Sequence, residues 1–364
     1  MSANVYFASE RVLRPEVGSS LPAKFVRMLK KFNLGKMITG RRVAVKMHLG
    51  GDLVYKTIHP VFVRKLIETI KESGGNPFIC DCPCDAAVRG VARGYTQEVL
   101  GAPIFPATGV DDKYFYVRKP RKRGRVREIQ LAGNIQDSDA LIVLTHVKGH
   151  GDCGYGGACK NLAMGAVTAK TRTLLHSIEG GLKWHLEKCK FCGLCKKSCP
   201  HEGLIFEPGV AVKFNFHLCT FCRHCVYVCP HGAITIEEAD FKNFQEGMAL
   251  ATREVLRRFL PDRVLYVNVL LGITMFCDCI GFSSPNLVPD IGIMASTDLV
   301  AIESATLNAI KWENFNPDAL PKVREIRDKG HLFERIHGKD PWIQVKALKR
   351  LGLGQRDYKL VEVR

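Results

Sequence analysis

The chain has 364 residues, 15 of them Cys, and a formal net charge of +17. Its length suits roughly two or three domains, and a composition 46% hydrophobic and 24% charged excludes bulk disorder. No apolar run nears the roughly 18 to 20 residues of a membrane span, and MSANVYFASERVLRP lacks the basic start and apolar stretch of a secretory signal.

A cytoplasmic protein is therefore expected, and 15 Cys in that compartment argue for metal or redox chemistry more than for disulfides. The positive charge is compatible with nucleic acid, an acidic redox partner or an anionic substrate.

Along the chain, apolar strands alternate with helices. Residues 5–8 form a short apolar run, and 20–35 read as a capped helix. Residues 42–49 (RVAVKMHL) read as a buried strand, 59–72 as a helix opened by His59-Pro60, 76–82 as a strand and 85–100 as a helix. Residues 114–131 read as a β-hairpin whose tip, 118–127, holds seven Lys or Arg in ten residues. Residues 140–147 (ALIVLTHV) predict a buried strand and 160–177 a helix. Beyond residue 240 come a helix over 241–260, strands over 264–273 and 290–295, and a helix over 298–312. This alternation predicts an α/β fold, a mostly parallel sheet with helices on both faces.

An internal repeat interrupts the alternation. Cys189, Cys192, Cys195, Cys199 and Pro200 recur 30 residues later as Cys219, Cys222, Cys225, Cys229 and Pro230. The expected organisation is one α/β domain, residues 1–180 plus 241–364, interrupted by a ferredoxin-like α+β insert at 181–240. C-x2-C-x2-C-x3-C-P is the bacterial ferredoxin spacing, in which three close thiolates hold one cubane and the fourth reaches the other. The repeat predicts two [4Fe–4S] clusters, one on Cys189, Cys192, Cys195 and Cys229, the other on Cys219, Cys222, Cys225 and Cys199. Zinc needs four ligands and no such triplet.

Seven Cys lie outside the repeat: Cys80, Cys82, Cys84, Cys153, Cys159, Cys277 and Cys279. Cys-Asp-Cys occurs twice, each time after an apolar strand, and alternate strand residues face one way. Their expected place is the carboxyl edge of the sheet, where open α/β sheets bind ligands. Buried packing is the alternative for each thiol taken alone; together they read as a third metal site or a redox-active thiol site. Lys46, His48, His146, Lys148, His150 and Lys160 fall at the same strand ends as candidate catalytic groups. Gly154, Gly156 and Gly157 lead into a helix that can present N–H groups to an anionic cofactor. Neither a Walker loop nor a G-x-G-x-x-G after the first strand is present, and no motif excludes flavin. The basic hairpin fits an acidic, ferredoxin-like partner; nucleic acid is the less favoured occupant, because stacking platforms are not evident.

The flanks of the insert resemble the iron–sulfur family known as domain of unknown function 362, through VKMHLGG at 45–51, KGHGDCGYGGACKNLAMG at 148–165, FCDCIGF at 276–282 and PDIGIMASTDLVAIE at 289–303. The resemblance implies an iron–sulfur redox protein of anaerobic metabolism and carries no settled substrate. Three functions compete: an oxidoreductase acting on an unknown small molecule, a non-catalytic electron carrier, and a scaffold for metal or cluster maturation. The first is preferred, because a carrier needs neither so large a scaffold nor seven further thiols.

Overall fold

Runs of apolar residues become strands, buried on both faces at the centre of the sheet. In the computed structural model, which describes residues 2–51, 53–82, 85–120, 125–219, 221–236, 242–322 and 325–364, they build an eight-stranded sheet. Its strands are β1 (Ala3–Ser9), β2 (Arg42–Lys46), β3 (Asn76–Asp81), β4 (Ile104–Pro106), β5 (Ala140–His146), β6 (Val264–Leu270), β7 (Gly292–Ser296) and β8 (Tyr358–Glu362). Their order is β8-β1-β7-β6-β5-β2-β3-β4. β7 pairs antiparallel with both β1 and β6, and every other neighbouring pair is parallel. The fold is therefore α/β with a mostly parallel sheet.

Side-chain alternation divides the core. Leu141 and Val143 of β5 join Val264 and Tyr266 of β6 on one face, under helices Ala158–Gly165, Asn243–Leu256, Leu299–Ala309 and Trp342–Arg350. Ala140, Ile142 and Leu144 face the opposite way with Leu265 and Val267, under helices Leu21–Leu29 and Pro60–Glu72. The chain runs outward from β2 through β3 to β4 on one side, and from β5 to β6 on the other. β2 and β5 thus flank the point where strand order reverses, and a crevice opens there at the carboxyl ends.

Several predicted boundaries shift. The helix expected over 160–177 is two, Ala158–Gly165 and Ala169–Ser177, because Thr168 caps the second by accepting the Thr171 N–H. The helix expected over 85–100 is broken at Gly94, whose φ of 76° leaves helical space, and restarts at Gln97 behind the Thr96 cap. The helix expected over 20–35 ends at Leu29, and a second begins at Leu34. The predicted hairpin pairs Phe115–Arg118 with Ile129–Ala132; the centre of its basic tip, 121–124, lies outside the described residues. The glycine-rich stretch is a small β-hairpin rather than a loose loop, pairing Lys148–His150 with Gly154–Gly156.

The cysteine repeat folds around a small core of its own, with Leu182, Leu204, Val212, Phe221, Cys225 and Ile234 buried together. Leu182–Trp184 pairs antiparallel with Ile234–Ile236, and Leu204–Glu207 with Ala211–Phe214. The duplication extends to the backbone. Phe191 and Phe221 both take positive φ, 50° and 55°, and Gly193 and Arg223 start the two short helices at 73° and 72°. Among the described residues no helix is long and apolar enough to cross a membrane.

Two glycines let backbone segments cross closely beside this repeat. A Cβ on Gly151 would overlap the carbonyl oxygen of His217, and one on Gly149 that of Met275. Backbone cannot retreat as a flexible side chain can. Gly151→Ala should therefore destabilise the protein by about 2 kcal/mol or more, while Gly18→Ala, whose Cβ would meet nothing within 4 Å, should stay within about 0.5 kcal/mol. Urea unfolding of the two variants against wild type measures both.

Candidate functional site

A cavity of about 660 Å³ lies at the carboxyl ends of β2, β3 and β5. Its wall is organised around two buried aspartates. Asp81, at the end of β3, accepts from Lys46 Nζ at 2.8 Å through Oδ1, and through Oδ2 meets His48 Nδ1 and the Leu49 N–H, each at 2.9 Å. Asp278 repeats the arrangement, with His146 Nδ1 at 2.9 Å on Oδ2 and Lys148 Nζ at 2.7 Å on Oδ1. The middle residue of each Cys-Asp-Cys therefore binds one Lys and one His. Lys46-Met47-His48 and His146-Val147-Lys148 supply the same two residue types in opposite order.

Burial opposes ionisation of both carboxyls, yet their Lys and His partners outweigh it. Lys46 and His48 hold Asp81 well below the usual carboxylate range, and His146 and Lys148 do the same for Asp278. Lys148 itself is lowered by burial, with Asp278 opposing. Asn161, from helix Ala158–Gly165, ties the β2 and β5 ends together. Its Oδ1 accepts from Lys46 Nζ at 2.7 Å, and its Nδ2 donates to the Leu144 carbonyl at 3.0 Å.

The candidate catalytic residues converge, with one exception. Lys46, His48, His146, His150 and Lys160 line the cavity; Lys148 stands behind Asp278. His150 is pushed well below its ordinary value by burial and then by the charge of Lys160. Lys160 is lowered by burial, and its Nζ lies 3.4 Å from both Cys277 Sγ and Cys279 Sγ, which are bonded to each other.

The outlying thiols separate. Cys82, Cys277 and Cys279 reach the cavity. Cys80 and Cys159 pack in the core, Cys159 against Thr252, and both are raised by burial. Cys153 lies 3.3 Å from His150 Nδ1, and burial pushes it up to about 12, as it pushes Cys82 up to about 11. Cys84 is outside the described residues. Gly156 and Gly157 line the cavity, whereas Gly154 packs against the Lys339 carbonyl. The helix that follows does not offer its first N–H groups to a ligand. Those of Ala158 and Cys159 donate to the buried Glu303 carboxylate at 2.9 and 3.5 Å.

Several lining groups were not singled out from sequence. Asp81 and Asp278 were signalled by the doubled Cys-Asp-Cys. Asn215, His217 and Leu218 carried no such signal, because they come from the linker between the two cysteine runs. His217 Nδ1 meets Asp152 Oδ2 at 3.1 Å, and its ring lies edge-on to His150 with centroids 5.0 Å apart. Lys339 holds this linker in place through the carbonyls of Phe216 and Cys219.

Groups able to hold a metal ion are present. The ligand atoms of His150, Cys277 and Cys279 lie within 4.8 Å of one another, as do those of His150, Asp152 and His217. In the cysteine repeat, two further small cavities are lined by separate sets of thiols. One takes Cys189, Cys192, Cys195 and Cys229; the other takes Cys199, Cys219, Cys222 and Cys225.

The chain is a member of the family described as domain of unknown function (DUF362), which matches residues 43–308. Among solved structures it is similar to the lactate racemase apoprotein from Thermoanaerobacterium thermosaccharolyticum, with 10% identity, a TM-score of 0.37, and coverage of 74% of this chain and 51% of that one. A structural-genomics protein from Thermotoga maritima gives 9% identity, a TM-score of 0.36, and coverage of 70% and 51%. The chain thus spans about half the length of these two structures. None of the curated proteins matches it.

Asp278 carries a prediction about acid stability. A carboxyl lowered in the folded state stabilises it above the unfolded value of about 3.9, and loses that contribution as pH falls through the folded value. Asp278→Asn should therefore flatten the fall in stability below about pH 5. At neutral pH it should cost about 3–5 kcal/mol, because Lys148 is left buried without its counter-ion. Denaturant titrations at a series of pH values measure both effects.

Proposed function

We propose that this chain is an iron–sulfur oxidoreductase that brings electrons through two [4Fe–4S] clusters in the 181–240 insert to the Lys–His–Asp cavity of the α/β domain. One observation carries the reading: the eight repeat thiols sort into two sets of four, and each set mixes three cysteines of one run with the fourth of the other. That exchange is the ligation pattern of two-cluster ferredoxins. Bound there, such clusters supply one-electron transfer at low potential.

The protein's own groups give the arrangement a direction. Cys192 is exposed, and so offers an outer edge to an acidic, ferredoxin-like donor that the chain's positive charge would attract. Cys219 follows Leu218, a cavity residue, so the second set abuts the cavity. Within the cavity, the carboxylates of Asp81 and Asp278 are committed to Lys46, His48, His146 and Lys148. These contacts fix the Lys46 ammonium and the His48 and His146 imidazoles around a small-molecule substrate, with Lys148 holding Asp278 from behind. The thiol content suits a reducing cytoplasm.

Purification without oxygen, followed by iron and sulfide analysis, tests this reading. About eight irons per chain and bleaching on dithionite addition are expected, with about half the iron lost in Cys229→Ser. About four irons or fewer without bleaching would contradict it.

A further inference from the structure

The cavity holds one pair of sulfurs unlike the other thiols. Cys277 and Cys279 are bonded to each other, both line the cavity, and both lie 3.4 Å from the Lys160 ammonium. Cys82, by contrast, faces the Thr108 hydroxyl at 3.5 Å. The pair is also asymmetric, with Cys277 buried and Cys279 exposed. Lys160 therefore sits within hydrogen-bond reach of whichever sulfur reacts.

We propose that Cys277 and Cys279 form a redox-active dithiol–disulfide couple, steadied by Lys160, that reduces a small anionic disulfide in the cavity. The exposed Cys279 attacks. Its thiolate bonds to one sulfur of R–S–S–R, the S–S bond breaks, and RS⁻ leaves. The buried Cys277 then attacks Cys279 Sγ, forming the Cys277–Cys279 bond and releasing the second RS⁻. The two protons lost by the cysteines match the two taken up by the leaving thiolates. Two electrons and two protons restore the dithiol. Their source rests on the preceding reading, in which a low-potential donor feeds the insert; the exchange with substrate does not.

The surroundings support an anionic substrate. Asp81, Asp152 and Asp278 are each engaged by a Lys or His of the protein. Arg172 also lines the cavity, and among the described residues it makes no ion pair. Lys160 has sulfur rather than carboxylate as its partner. The charges left for a ligand to meet are therefore positive.

The anionic disulfide 5,5′-dithiobis(2-nitrobenzoate) serves as the probe. The full chain, reduced and then freed of reductant under anaerobic conditions, is mixed with it, and peptides are read by mass spectrometry after alkylation. Wild type should finish with an internal Cys277–Cys279 disulfide and no retained aryl group. Cys277→Ser should retain one aryl thiol on Cys279. Lys160→Met should slow formation of that adduct roughly tenfold, with Lys160→Arg keeping most of the rate. The proposal is overturned if both cysteines remain alkylatable after the probe. It is equally overturned if they hold a metal ion, beyond the cluster iron, that Cys279→Ala removes. The readout follows sulfur and not iron, so a missing cluster would leave this result interpretable.

Discussion

Two buried carboxylates hold the site together. Asp81 and Asp278 each sit between two cysteines at the end of an apolar stretch, and each gathers one Lys and one His from a neighbouring strand end. A buried carboxylate is tolerable only when paired and hydrogen-bonded. Once Asp81 is buried, Lys46 and His48 must meet it, and β2 and β3 must end together. The same demand from Asp278 draws the 276–280 segment over the end of β5. The cavity is the space between these two ion-paired walls.

The glycines of the 148–157 hairpin follow from the same geometry. Three layers of backbone cross here: the hairpin itself, the 275 segment and the linker between the cysteine runs. Gly149 and Gly151 mark two of the crossings. This is why the stretch resembles a phosphate-binding loop in composition but not in structure. Its helix start is closed by Glu303, whose Oε1 also accepts from the Tyr155 hydroxyl at 3.0 Å and Asn268 Nδ2 at 3.2 Å. The glycines serve close packing between segments, and the N–H donors serve the core.

Much of the fold was legible in the sequence because its signals are local. Buried parallel strands announce themselves as continuous apolar runs, and His59-Pro60 and Asp298 mark helix starts that the structure keeps. What failed was equally local. Helices over 85–100 and 160–177 carry apolar spacing through Gly94 and Thr168, and only the backbone at those residues reveals the breaks. The direction of β7 was hidden because one apolar strand reads the same either way. The site was legible as a set of strand ends and not as a network. Sequence spacing placed Lys46, His48, His146 and Lys148 near one edge, but it could not show that Asp81 and Asp278 would be their partners across distances such as 35 and 132 residues. Nor could it show that His217 would enter from the linker.

The account joins two regions, a cysteine repeat that sorts its thiols into two sets and a cavity whose charges are held by two aspartates. Its central claim is that the two sets hold iron, one of them directly behind the cavity wall. Anomalous diffraction at the iron absorption edge, from crystals grown without oxygen, tests this most directly. The account predicts one compact iron peak among Cys189, Cys192, Cys195 and Cys229, and a second among Cys199, Cys219, Cys222 and Cys225. Disulfides or a zinc signal at those cysteines, without iron, would contradict it.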